Sequence, residues 1–326
     1  PTPRIGGVAV VAAVAAALLW MPDAALAHQT GLFAITLGPV FLIGLGEDLG
    51  RAVSPRGRLV AAAASSALAM ALLGIWIPRI GLPGLDGAVA LAPVGIALTL
   101  LWMTGLCHAM NLIDGVNGLS AGIGAIIAAG LGAIALRAGD PALAALAFAV
   151  VPACLGFLVL NWPLGLIFLG DAGAYTLGHV LGWLGIILAV RNPEAAGVAV
   201  GLTCFWPVAD TLLAIWRRRR AGRPTDQPDR LHFHQLVMRT LEIGFGARRR
   251  RRLTNPLTAA LVLPLAAAPV VAAVILWDRP GAAAAALAAF LALFALSYTG
   301  ILTLCRRVRS RAGPRMRVAS DPEPAE

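Results

Sequence analysis

A chain that repeats long, uninterrupted apolar runs has few folds open to it. A helix that crosses a bilayer needs about 20 mostly apolar residues. Ten candidate runs occur here, at residues 5–20, 31–46, 59–77, 89–105, 119–136, 142–160, 174–190, 195–216, 257–277 and 282–304. The first two are short, and the Gly- and Pro-rich connection at 78–87 reads as a loop. The 326 residues are 59% hydrophobic and only 13% charged, whereas soluble domains are about 45–50% apolar and 25% charged. The expected fold class is therefore an all-α, polytopic transmembrane helix bundle. It forms one integral membrane domain over residues 1–304, followed by a basic, disordered tail over 305–326.

Sidedness follows from arginine, which supplies all 26 basic residues. If Arg4 lies on one side, alternation of the ten runs puts 22 arginines there and leaves Arg79, Arg137, Arg191 and Arg279 opposite. A bias of this size marks the cytoplasmic side. The net charge of +10 is thereby explained without a nucleic-acid partner. Arg4, the short run and Ala25-Leu26-Ala27 also resemble a secretory signal with its cleavage site. We read the run as a retained helix, because the Pro1–Gly7 start is not that of a signal. The four cysteines fall in or beside apolar runs without CxxC or Cys/His spacing and read as packing residues.

Polar residues collect on the arginine-rich side. Glu47 and Asp48 end the second run, ahead of Arg56 and Arg58. Asn111, Asp114 and Asn117 follow the fourth run within Asn-Leu-Ile-Asp-Gly-Val-Asn-Gly, Asp171 follows the sixth between Gly170 and Gly173, and Asp210 lies near the end of the eighth, three residues after Pro207. Asn-Gly and Asp-Gly pairs also make ordinary turns, and a lone acid can cap a helix, the reading we favour for Asp210. Several carboxylates at one membrane depth point further, because an ionisable group at a span end is costly to bury unpaired. Oxygen ligands of this kind suit magnesium, which takes one or two carboxylates plus substrate phosphates. Asn111 and Asp114 share a helical face, and Asn117 continues it if the helix persists through Gly115. The loops at 47–58, 107–118, 161–173 and 217–256 are the expected catalytic loops.

His232 and His234 lie in the long connection before the ninth run. At a spacing of two they point the same way only on an extended or irregular backbone. No third His or Cys completes a zinc set, so contact with phosphate or sugar is the better reading. Residues 231–243 carry a helical apolar spacing suited to the membrane interface. The Arg217–Arg220 and Arg248–Arg252 runs read mainly as contacts to anionic lipid.

Five strings taken in order, PTPRIGG, GLGEDLGRAVSPRGRL, NLIDGVNGLSAG, FLGDAGAYTLG and PDRLHFHQL, resemble the bacterial polyprenyl-phosphate N-acetylhexosamine-1-phosphate transferases, grouped as glycosyltransferase family 4. The resemblance runs from Pro1 to about Arg239. It implies transfer of a sugar-1-phosphate from a UDP-sugar to undecaprenyl phosphate, with magnesium or alternatively manganese, releasing UMP at the cytoplasmic face of the bacterial inner membrane. It implies metal binding by Asp171 with Asn111, catalytic roles for Glu47, Asp48, Asp114 and Asp171, and substrate contacts by Asn111, Asn117, Arg58, His232 and His234. It also implies a further helix ahead of Pro1, for eleven spans. Three positions depart from the family pattern: Glu47 for Asp, Asn117 for Asp and Gln235 for His. They fit a branch serving surface polysaccharides. A homodimer is a further expectation. An ion-coupled transporter and an inactive member of the same fold are the alternatives.

Overall fold

The computed structural model describes residues 2–19, 24–82, 84–222, 231–244 and 251–311. Of the expected tail over 305–326, residues 305–311 continue α14 as helix rather than being disordered; its remainder, the Pro228-Asp229-Arg230 part of the histidine string and the Arg248–Arg250 part of the second arginine run lie outside these residues. Among the described residues there are fourteen helices and no strand: α1 (Gly6–Leu19), α2 (Ala24–Thr36), α3 (Gly38–Asp48), α4 (Pro55–Leu73), α5 (Asp86–Val89), α6 (Ala92–Leu112), α7 (Leu119–Arg137), α8 (Pro141–Asn161), α9 (Gly170–Arg191), α10 (Gly197–Thr203), α11 (Phe205–Arg220), α12 (Phe233–Gly244), α13 (Arg251–Ile275) and α14 (Pro280–Arg311). Eight helices are long and apolar enough to cross a membrane, α2 and α3 contributing one span as His28–Asp48. The pair α10–α11 makes a ninth if counted as one span, and α1 adds a shorter apolar helix.

Local sequence chemistry sets the boundaries. Ser54 caps α4 by accepting the Gly57 N–H at 3.1 Å, Pro55 occupies the first helical position, and Gly74 closes the helix in the left-handed region at φ 67°. The α2–α3 joint at Leu37 precedes Pro39, and the Val40 N–H there is accepted by Ser65 Oγ at 3.0 Å. A break inside an apolar layer persists only when such groups find partners.

The eighth apolar run is not one straight helix. It bends by 80° between Thr203 and Phe205. Pro207 has no N–H to give the Thr203 carbonyl, and its ring would clash with that carbonyl in a continuous helix. Two runs also extend further than their hydropathy. α6 continues to Leu112 and α9 begins at Gly170, so residues 107–112 and Asp171 lie on helices rather than in the expected loops.

α9 is the axis of the bundle. Nearly all of its residues from Gly170 to Ala189 are buried, and it packs against α1, α3, α6 and α7. Small residues permit this: a Cβ on Gly44 of α3 would strike the Ala172 backbone, and one on Gly7 of α1 would strike Gly173. The two ends of the bundle use separate contact sets. At one end Arg79 donates to the carbonyls of Asn192, Pro193 and Ala195, and Ala196 N–H donates to Trp277 O at 2.7 Å. At the other, Phe168 N–H donates to Pro3 O, and Asn255 Oδ1 accepts the Asn117 N–H at 2.7 Å. This alternation of ends matches the one that segregates arginine.

Candidate active site

The site is built around the first turn of α9. The leading N–H groups of a helix have no intrahelical partner and attract anions. Asp48, the last residue of α3, meets this need across 123 positions of sequence. Its Oδ1 accepts the Asp171 N–H and its Oδ2 the Ala172 N–H, both at 2.9 Å. Gly170 allows the approach, because its φ is +74° and a Cβ there would collide with the Asp48 carboxylate. Both Asp48 oxygens are thus committed to backbone, and the carboxylate fixes where Asp171 begins its helix.

Asp171 is held on its other side by Asn111, whose Nδ2 donates to Asp171 Oδ1 at 2.6 Å. Glu47 lies within hydrogen-bonding reach of Asp171. Its Oε1 pairs with Arg58 Nη1 at 3.2 Å, while its Oε2 is buried with no partner. Arg58 also reaches the Tyr175 hydroxyl, one turn below Asp171 on α9. Asp114, in the turn after α6, accepts the Gly170 N–H. Burial pushes the Asp114 carboxyl up to about 7, and the negative charges of Asp171 and Asp48 push in the same direction. Arg4 opposes them from the N-terminal segment.

Four carboxylates, one asparagine and two arginines therefore converge from five separate segments. Among the described residues no three or more of His, Cys, Asp and Glu are grouped so as to hold a metal ion by themselves. An open cluster of oxygen donors fits magnesium better than zinc, since magnesium keeps positions for substrate phosphates. The unpartnered Glu47 Oε2 beside Asp171 is a buried acceptor whose repulsion a cation would relieve. The residues present thus fit the cation that the sequence suggests.

The histidine pair forms an adjoining group. Leu231 and His232 are irregular, as its spacing requires, but α12 begins at Phe233, so His234 sits in a helix. The two rings stack at 5.9 Å, 14° apart. Asp210 accepts the Phe233 N–H at 3.0 Å and lies 2.9 Å from His232 Nδ1, so it is both a helix cap and a hydrogen-bond partner of His232. His234 packs against Gly115, and its Nε2 is buried without a partner. Burial lowers His234 to about 4; His232 adds to this and Asp210 opposes it. His234 is therefore neutral near pH 7.

Asn117 departs from the expected arrangement. The helix ends at Leu112 and turns, so Asn117 leaves the face of Asn111 and Asp114. Its side chain donates to Pro163 O at 3.3 Å. It anchors the loop before α9 and does not face Asp171. Two residues of the layer escaped sequence reasoning, Tyr175 and His108. Tyr175 follows Asp171 by four and His108 precedes Asn111 by three, and on helices those spacings share a face.

Residues 30–189 match the model of glycosyl transferase family 4. The chain is 33% identical over 283 residues to the decaprenyl-phosphate N-acetylglucosaminephosphotransferase of Mycolicibacterium smegmatis, covering 76% of this chain and 67% of that protein. It is 29% identical over 239 residues to a probable undecaprenyl-phosphate N-acetylglucosaminyl 1-phosphate transferase of Bacillus subtilis, covering 72% and 65%. It is 28% identical over 270 residues to the undecaprenyl-phosphate alpha-N-acetylglucosaminyl 1-phosphate transferase of Yersinia pestis, covering 80% and 71%. The match thus spans about two thirds of the length of these relatives.

Proposed function

This chain belongs to glycosyl transferase family 4, and from that membership we propose that it transfers N-acetylglucosamine-1-phosphate from its UDP-sugar to a polyprenyl phosphate, undecaprenyl phosphate being the expected acceptor, and releases UMP. The observation that carries the reading is the meeting of Glu47, Asn111, Asp114 and Asp171 at the start of α9, with one buried carboxylate oxygen left unpartnered. The face holding the site is the arginine-rich one, which supports a reaction at the cytoplasmic side of the bacterial inner membrane. Anionic lipid at the arginine runs and a second copy of the chain remain proposed partners.

The acceptor is a phosphate monoester with a second pKa near 6, so its oxygen is largely ionised at neutral pH. The barrier then lies mainly in bringing two anions together, and positioning and charge neutralisation dominate. Asp171 and Asn111, aided by Glu47, would hold magnesium, which when bound neutralises the donor's diphosphate oxygens. Asp48 fixes the α9 start on which Asp171 depends. Asp114 faces the same space from the α6–α7 turn. His234, neutral and unpartnered at Nε2, is suited to hydrogen-bond sugar or phosphate from the α12 side, with His232 oriented by Asp210. Arg58 supplies fixed positive charge.

The direct test supplies purified protein with undecaprenyl phosphate, magnesium and a panel of UDP-sugars, and measures UMP. Release with UDP-N-acetylglucosamine that stops on chelation is expected. No release with any UDP-sugar, from protein that binds UDP, would favour the inactive-member alternative. The transporter alternative has less support, since the acids sit at span ends whereas transporter sites lie near the bilayer midplane.

A further inference from the structure

One helical turn from the acidic layer, toward the apolar body of the bundle, lies a second polar layer. Arg58 stands on the first turn of α4, His108 three residues before Asn111 on α6, and Tyr175 four residues after Asp171 on α9. At 1.5 Å per residue the α6 and α9 members sit about 4.5 and 6 Å deeper than Asn111 and Asp171. Tyr175 rests on a small buried cluster with Val40, Ala62 and Cys107, which holds its ring. The His108 ring packs against it at 5.2 Å. His108 Nδ1 lies 2.9 Å from the Thr104 carbonyl. A carbonyl only accepts, so Nδ1 carries the proton and neutral Nε2 is a bare lone pair. That Nε2 is buried with no partner.

The surroundings indicate the direction of approach. Along α6, Leu101 is 73% exposed and Leu112 40% exposed, on the same face as His108. Between them Gly105 is exposed, and a Cβ there would meet nothing within 4 Å. An apolar stripe open to lipid thus leads along α6 to His108.

We propose that Arg58, His108 and Tyr175 form the subsite for the acceptor's phosphate group, reached sideways from the bilayer. This rests on the transferase reading and assigns its second substrate a place. Arg58 donates to the phosphate oxygens. Tyr175 accepts from Arg58 and keeps its own O–H to donate. His108 Nε2 needs a donor, and the acceptor supplies one as the P–O–H of its monoanion, the form in equilibrium with the dianion through the second pKa near 6. A sugar nucleotide diphosphate has none at neutral pH, so this lone pair selects the monoester. As the phosphate oxygen forms its new bond to the donor's phosphorus and the bond to the UMP oxygen breaks, the proton passes to Nε2, and from the imidazolium to solvent.

Farnesyl phosphate and UDP are the probes, with binding to the full-length protein followed by native mass spectrometry. His108→Leu and Tyr175→Phe should each weaken farnesyl phosphate about tenfold, the effect of one hydrogen bond to a charged group. Affinity for UDP should stay within twofold. His108→Gln, whose amide oxygen also accepts, should recover part of the loss. Unchanged farnesyl phosphate binding in folded His108→Leu and Tyr175→Phe overturns the subsite, and so does weakening that falls on UDP. Absence of UMP release by wild type is a separate failure, that of the transferase reading itself.

Discussion

The turns at the two ends of α7 each carry one aspartate, and the two acids live in opposite electrostatic worlds. Asp140, before α8, receives Arg191 Nε at 2.6 Å and Nη2 at 3.1 Å, and caps α8 through the Leu143 N–H at 3.1 Å. Burial works against its charge, but Arg191 and the Leu143 N–H outweigh it and hold the carboxyl below its ordinary range. Asp114, before α7, is pushed up to about 7 by burial first and by the facing charges of Asp171 and Asp48 second. Asp140 is a completed contact that closes one end of the bundle. Asp114 belongs to a set of acids with more negative charge than its neighbours neutralise, which is what a site awaiting a cation and phosphates requires.

The largest break in this comparison should come from Asp48→Ala. It strands the Asp171 and Ala172 N–H groups and frees the α9 start, so transfer should fall by on the order of 10²–10³-fold, as when a pre-positioned charge-stabilising group is lost. The cap itself contributes about 1–2 kcal/mol, readable as a lower melting temperature. At the closed end, Arg191→Ala should leave activity within about threefold while costing about 1–2 kcal/mol, kept modest because the Arg191 side chain is 42% exposed. Substantial loss of turnover in folded Arg191→Ala would blur the division between the two ends.

A smaller effect separates the ends by pH. The raised Asp114 carboxyl binds its proton more tightly folded than unfolded. Without divalent cation, its contribution to stability is present at acid pH and is lost as pH rises through about 7. The depressed Asp140 carboxyl has the opposite sign: its contribution is present above the ordinary carboxylate range and lost as pH falls through its folded value. Melting curves across pH 2–8 in a chelator should therefore flatten between about pH 4 and 7 in Asp114→Asn and below about pH 4 in Asp140→Asn. The smallest change expected is that of Asn117→Asp. The side chain faces Pro163 rather than Asp171, so activity should move by less than about threefold, measured as initial rate of UMP release.

The sequence makes the spans legible because hydrocarbon demands long apolar runs, and the arginine bias makes the ends legible. Asn111, Asp114 and Asp171 stand out because acids and amides at span ends have no apolar role. What the sequence hides is tertiary. Asp48 reads as a reactive acid, yet both its oxygens serve backbone amides 123 and 124 positions away. Asn117 reads as a member of the helical face until the turn after Leu112 rotates it away. His108 and Tyr175 are covered by the apolar runs around them, and only the meeting of α4, α6 and α9 brings them beside Arg58. The 80° bend before α11 is encoded by Pro207 but masked by unbroken hydropathy.

The most direct test is transfer of radiolabelled N-acetylglucosamine-1-phosphate to undecaprenyl phosphate by wild type, Asp171→Asn and Asp140→Asn, at matched amounts of folded protein and saturating magnesium. The expected result is labelled lipid from wild type and Asp140→Asn at comparable rates, and loss of about 10²-fold or more from Asp171→Asn. Undiminished transfer by Asp171→Asn would contradict the assignment of the reaction to the open end of the bundle.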